Sequence, residues 1–130
     1  MVFENKQLKK MIMSYDVQLF RKETKEKELQ LNDENFFDKE ENLEPFTECQ
    51  FHELKERLMK YDYVLENENK YGLNFIHPEY GSALLTDRGL YFSTSFDGDC
   101  IFEVGLTASE FTDTGEYEKY DPQNNGWEEI

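Results

Sequence analysis

The chain has 130 residues, the length of one domain, and its 11 phenylalanines and 8 tyrosines are enough large side chains to build a core. This composition excludes the aromatic-poor class of disordered acidic tails. With 29 acids against 14 bases, the net charge is −15. Such a charge repels phosphate and disfavours direct binding to nucleic acid or to an anionic membrane. We therefore expect a basic protein partner.

The charge is distributed unevenly along the chain. Residues 1–31 carry seven bases and five acids, a net +2, whereas residues 32–130 carry seven bases and 24 acids, a net −17. No secretory leader or long apolar run is visible, and Cys49 and Cys100 lack the close spacing of a secreted disulfide framework. We expect a single acidic domain over residues 1–130, located in the cytoplasm, with near-neutral residues 1–31 and strongly acidic residues 32–130.

The first quarter of the chain has one helical pattern followed by an alternating pattern. Apolar residues Leu8, Met11, Ile12 and Tyr15 recur at helical spacing and predict an amphipathic helix over about 3–15. Val17, Leu19 and Arg21 alternate with Gln18 and Phe20, and Leu29 and Leu31 alternate again after a charged turn. These alternations predict two short strands.

The middle of the chain contains the clearest helix signal. Thr47 and Gln50 form a capping-box pair, and apolar residues then repeat at helical spacing as far as Tyr61. The spacing predicts a helix over about 48–61. The preceding segment, residues 32–48, is acidic and predicts a surface loop or a poorly ordered helix.

The pattern after Tyr61 is typical of strands. Short apolar runs cover 63–65, 72–76, 83–86, 90–96 and 100–106, and Asp97-Gly98 between the last two is a strong hairpin signal. The predicted fold class is α+β: an antiparallel meander packed against about two α-helices.

Residues that could support catalysis are sparse. His52 and His77 are the only histidines, no serine, threonine or cysteine lies in a nucleophile motif, and the glycines form no phosphate-binding loop. Asp97-Gly98-Asp99 lacks the rest of a calcium loop. We expect no metal, no cofactor and no enzymatic activity, although sequence alone leaves a hydrolase with a paired-carboxylate site open.

Carboxylates interleaved with aromatic residues are the pattern most typical of an interface. Aromatic side chains supply buried anchors at protein interfaces, and surrounding charge steers the partner. The candidate partner-binding residues lie in the C-terminal segment and the acidic loop: Glu116, Tyr117, Glu118, Tyr120, Asp121, Trp127, Glu128, Asp38, Glu40 and Glu41.

These observations favour a protein that inhibits a basic nucleic-acid enzyme by covering its cationic cleft. The first hypothesis is an immunity protein that neutralises a bacterial nuclease toxin. The second is a phage-encoded DNA mimic that blocks a host defence nuclease, of the anti-restriction or anti-CRISPR type. An adaptor or scaffold subunit is a further alternative. The sequence leaves the oligomeric state open.

Overall fold

A computed structural model describes residues 14–95, 97–123 and 126–128. These residues form an α+β fold, as predicted, in which a seven-stranded antiparallel sheet packs against helices. The strands are β1 (Ser14–Arg21), β2 (Val64–Asn69), β3 (Gly72–His77), β4 (Gly81–Leu85), β5 (Leu90–Ser95), β6 (Tyr117–Asp121) and β7 (Gly126–Trp127). The helices are α1 (Lys22–Leu31), α2 (Glu48–Lys60) and α3 (Gly98–Glu110), with two short 3-10 helices at Phe36–Asp38 and Glu40–Asn42.

The sheet order is β2-β3-β4-β5-β1-β6-β7, so the predicted meander occupies one half and β1 lies inside the sheet. Ser14 pairs with Ser95 and Leu19 with Leu90, which brings the start of β1 to the end of β5. The β3–β4 turn and the start of α3 lie at this same end. The β2–β3 and β4–β5 turns lie at the opposite end, where β1 finishes at Arg21.

One face of the sheet carries the main core. Val17, Leu19 and Phe92 project from central strands, and helices α2 and α3 cover them. Helix α2 contributes Leu54 and Leu58, and α3 contributes Val104 and Ala108, followed by Phe111 just after the helix. Burying each large apolar side chain contributes about 1.5–3 kcal/mol, so this layer supplies most of the stabilisation.

A smaller aromatic cluster lies on the other face. Phe20 projects from β1 opposite its buried neighbour Leu19 and packs with Phe36 and Leu43 of the acidic loop. Phe37, Tyr91, Tyr120 and Trp127 surround these three residues. The segment predicted to be a surface loop or a poorly ordered helix is therefore held against the sheet by its own apolar residues.

The predicted strand at Leu29 and Leu31 is wrong, because these residues lie in α1. Both leucines are exposed, at 61% and 55%, and Thr24 is the only buried residue of the helix. The helix ends at Asn32, whose left-handed backbone (φ 47°) directs its N–H to the Glu28 carbonyl. A solvent-exposed helix has no apolar stripe, so hydrophobic periodicity could not reveal it.

The predicted strand over 100–106 is also wrong, because the segment is helix α3. The Asp97 carboxylate accepts hydrogen bonds from the backbone N–H groups of Asp99 and Cys100, at 3.0 and 3.3 Å. Asp97 is thus a helix N-cap and not a hairpin residue. The buried residues follow helical spacing, at Val104, Ala108 and Phe111.

The remaining predicted elements fall in both described and undescribed parts of the chain. Helix α2 is confirmed, with the predicted capping box between Thr47 and Gln50. Strands β1 to β5 are confirmed to within a few residues, except that Phe96 lies outside the described residues. Most of the helix predicted over 3–15 also lies outside them, but Tyr15 belongs to β1.

Because the phenol of Tyr63 is buried, its ionisation lowers the free energy of unfolding at alkaline pH. Burial raises its pKa to about 12, whereas an unfolded tyrosine ionises near pH 10. The folded state therefore favours the neutral phenol, and the stability it contributes is full below about pH 10 and is lost as pH rises through about 12. We expect the Tyr63→Phe variant to lose roughly 2 kcal/mol less of its free energy of unfolding between about pH 9 and pH 12 than the unmodified protein does. Urea unfolding of both proteins at about pH 9 and pH 12 measures this, and equal losses would contradict it.

Candidate functional site

Most of the predicted C-terminal acids make contacts within the fold. Glu116 accepts a hydrogen bond from the Gln50 side chain at 2.9 Å, and Glu118 pairs with Lys25 at 3.2 Å. Glu128 binds both the Lys119 ammonium group, at 3.2 Å, and the Ser109 hydroxyl, at 2.8 Å. All three carboxylates are half-buried, and Glu118 and Glu128 are paired with lysines, so the segment presents less free charge than the sequence suggests.

The aromatic residues predicted as anchors are also inside the fold. Tyr117 is 1% exposed and lies in the main core, so its side chain has no surface to offer a partner. Asp121 is 8% exposed and accepts a hydrogen bond from the Tyr15 hydroxyl. Tyr120 and Trp127 pack in the aromatic cluster, and the Trp127 indole N–H donates to Glu28 at 3.0 Å. The C-terminal segment therefore forms one edge of the sheet and completes the aromatic cluster.

The predicted acidic loop remains exposed at its carboxylates. Asp38, Glu40 and Glu41 all face solvent, and Glu40 lies 3.5 Å from the Arg88 guanidinium. Arg88 also donates to the Leu43 carbonyl at 2.8 Å and so ties this loop to the β4–β5 turn. A cleft of about 320 Å³ separates the loop from the β2–β3 turn. Bases and acids alternate around this cleft, so its charge is mixed.

A second set of carboxylates lies at the end of the sheet where β1 begins. This set, the acidic end, comprises Asp62, Glu79, Asp97, Asp99 and Glu103. Asp62 and Glu79 line one groove, and Glu79, Asp99 and Glu103 surround Tyr80. Lys60, two residues before Asp62, is the base nearest to this set along the sequence. Part of the sequence signal was present, because residues 89–118, which include Asp97, Asp99 and Glu103, contain seven acids and no lysine or arginine.

The β3–β4 turn holds part of the acidic end in place. The Nδ1 atom of His77 accepts hydrogen bonds from the backbone N–H groups of Glu79 and Tyr80, at 3.0 and 3.1 Å. The Tyr80 ring stacks on the His77 ring with centroids 4.6 Å apart. Loss of hydration, together with the carboxylates of Glu103, Glu79 and Asp99, raises the pKa of the Tyr80 phenol. The histidine thus orders the turn that follows β3.

Two exposed apolar residues of α3 adjoin the acidic end. Phe102 and Leu106, the exposed α3 pair, are 66% and 46% exposed. They share one face of the helix with Asp99 and Glu110, because the spacings are three, four and four residues. The Glu110 carboxylate accepts a hydrogen bond from the Tyr61 hydroxyl. The result is an exposed stripe with apolar residues in the middle and carboxylates at both ends.

An ion pair joins α2 to the turn that follows α3 and so helps to position this stripe. The Arg57 guanidinium forms two hydrogen bonds with the Asp113 carboxylate, at 2.8 and 3.3 Å, and lies 4.7 Å from the centre of the Phe111 ring. The hydrogen bond from Arg57 lowers the pKa of Asp113. An ion pair with this bidentate geometry fixes orientation as well as charge.

Within residues 14–95, 97–123 and 126–128, no group of three His, Cys, Asp or Glu side chains is arranged to hold a metal ion. Cys49 and Cys100 are both free thiols. In the same part of the chain, no helix combines the length and the apolar character needed to cross a membrane.

Comparisons of this chain with protein-family models, with curated proteins and with solved structures find no match. The class that the structure defines is an acidic α+β protein with an open antiparallel sheet.

Proposed function

We propose that this protein binds and inhibits a basic nucleic-acid enzyme, and that it works by occupying that enzyme's cationic cleft and not by catalysis. The observation that carries the proposal is the stripe on α3, where Phe102 is 66% exposed beside the carboxylates of the acidic end. Exposed apolar residues that adjoin on one helix face, as Phe102 and Leu106 do, and that are bordered by charged residues are typical of an interface.

The two parts of this surface have different tasks in the proposed complex. The carboxylates take the positions that phosphates would occupy opposite lysine and arginine of the enzyme, and they accelerate the encounter. The exposed α3 pair then loses its contact with water and slows dissociation. The interface predicted from the sequence thus moves from the C-terminal segment to α3, while Asp38, Glu40 and Glu41 remain exposed at a distance along the chain.

Within this class, the proposal favours an immunity protein that neutralises a bacterial nuclease toxin. The experiment is to capture partners from the source cells on the tagged protein, identify the basic protein retained, and titrate its nuclease activity. We expect activity to fall in proportion to added protein and to vanish at a one-to-one ratio. A counter-defence role predicts the same titration with a host defence nuclease in place of a toxin.

Three results would overturn the proposal. The first is a retained partner whose nucleic-acid activity is unchanged by a stoichiometric excess of this protein, which would indicate an adaptor or scaffold role. The second is capture of partners with no basic surface. A nuclease inhibited only far above the one-to-one ratio would point to non-specific charge effects, and would count against a dedicated inhibitor.

A further inference from the structure

The outer edge of β2 is the largest unpaired backbone surface of the described sheet. Strand β2 lies at one margin, pairs with β3 alone, and has all six residues exposed. The strand at the other margin, β7, has only two residues. A short edge strand offers little backbone to another chain, whereas a six-residue edge offers a row of free N–H and C=O groups. The two margins of the sheet therefore differ in what they can bind.

A cluster of exposed apolar residues adjoins this edge. Val64 is 60% exposed and Leu65 38% exposed on β2, and Met59 of α2 is 54% exposed. Met59, Val64, Leu65 and Pro78 line a groove of about 480 Å³ that also contains the carboxylates of Asp62 and Glu79. An apolar groove beside free backbone groups is the combination that strand-adding domains use, with backbone pairing for affinity and a side-chain pocket for specificity.

The charges on β2 select against some partners and in favour of others. The strand carries Glu66 and Glu68 and no basic residue, and its register shifts between Leu65 and Asn67. Edge charges and bulges are common protections against self-association. A second copy would place the same glutamates against each other, and each chain already carries −15. A segment rich in lysine or arginine is attracted instead.

We propose that the β2 edge accepts an extended basic segment of the partner protein as an additional strand, with one apolar side chain of that segment in the groove. This inference rests on the proposed function, since it names the chemistry of one contact with the cationic partner. It adds a backbone contact to the charge and aromatic contacts of α3.

The first test uses charge reversal with a matched control in the captured complex. Glu66→Lys with Glu68→Lys should weaken partner binding by at least about 30-fold, because both charges oppose the basic strand. Glu26→Lys with Glu34→Lys makes the same charge change at exposed residues outside β2 and should weaken binding no more than about threefold. Equal losses in the two variants would overturn the inference.

The second test concerns the groove and uses substitutions that leave charge unchanged. Met59→Ser removes an apolar wall of the groove, and Leu29→Ser makes a similar change at a residue of α1 that is 61% exposed. We expect about tenfold weaker partner binding for the first and no change for the second. Both residues are exposed, so both variants should remain folded.

The third test needs no natural partner. The probe is a peptide of alternating lysine and valine, about eight residues long, which is within the length of ordinary strands. Its control carries the same side chains with every backbone nitrogen methylated, so it keeps its charge but has no backbone donor. The first peptide should shift the amide resonances of residues 64–69 and bind at least about tenfold more tightly than the control. Equal binding by both peptides would show that charge alone acts and would overturn strand addition.

The tests also separate this inference from the proposed function. If reversal on β2 has no effect while reversal at the acidic end abolishes binding, strand addition is wrong and the inhibitor proposal stands. If no basic partner is captured, the proposed function fails, and the peptide experiment still decides whether β2 accepts a strand.

Discussion

The triple variant Glu79→Lys, Asp99→Lys and Glu103→Lys is expected to bind the basic partner at least about 100-fold more weakly. Charge pairs at close inhibitory interfaces contribute about 1.5–7 kcal/mol each, and reversal replaces attraction by repulsion. Isothermal titration calorimetry with the captured partner measures the affinities of the variant and of the unmodified protein. Asp99 lies in the first turn of α3, where a lysine also opposes the helix dipole by about 0.3–1 kcal/mol. Circular dichroism and a cooperative thermal transition confirm that the variant is folded.

The matched control places the same charge change in the acidic loop. Glu34→Lys, Asp38→Lys and Glu41→Lys alter three exposed carboxylates away from the acidic end. We expect this variant to lose no more than about tenfold in affinity, through the long-range field alone. If the loop variant loses binding and the acidic-end variant keeps it, the interface lies in the loop, one of the two segments in which the sequence placed candidate residues.

The second large effect concerns Tyr117, which the sequence indicated as an interface anchor. Its ring is 1% exposed and packs edge-on against Phe46 with centroids 5.8 Å apart. Tyr117→Ala should therefore cost about 3–5 kcal/mol of unfolding free energy through lost burial and the cavity left behind. Equilibrium urea unfolding provides the measurement.

The conservative variant of Tyr117 should behave in the opposite way. Its buried hydroxyl has no hydrogen-bond partner among the described residues, and burial raises its pKa. Removing an unsatisfied buried hydroxyl leaves stability unchanged or raises it by about 1 kcal/mol, so Tyr117→Phe should unfold at the same or higher urea concentration. A Tyr117→Phe variant that is stable but binds the partner poorly would show that Tyr117 contributes to the interface.

How much of the fold the sequence predicts depends on whether an element has a one-sided apolar pattern. Helix α2 has both a capping box and an apolar stripe, and it is predicted almost to the residue. Helix α1 has no side-chain cap at its start, and its only buried residue is Thr24, so it has no apolar stripe. The alternation of Leu29 and Leu31 was misleading. Tertiary context decides such segments, and local pattern does not.

Helix α3 shows why the candidate site was placed elsewhere on the chain. Phe102, Val104 and Leu106 occur at every second residue, a spacing that predicted one buried strand face. In a helix, residues two apart lie on roughly opposite sides, so Phe102 and Leu106 face solvent while Val104 is buried. The two residues that look most like core are thus the exposed pair. Charge along the chain was informative, since residues 89–118 lack any base, but the internal pairing of Glu118 with Lys25 cannot be deduced from spacing across 93 residues.

The most direct test of a charge-directed complex is the association rate constant of the captured partner as a function of salt. Between about 50 mM and 500 mM salt, screening shortens the reach of the carboxylates to a few ångströms. We expect the association rate to fall at least about tenfold over this range while the dissociation rate changes much less, because steering acts before contact. An association rate independent of salt would contradict the account.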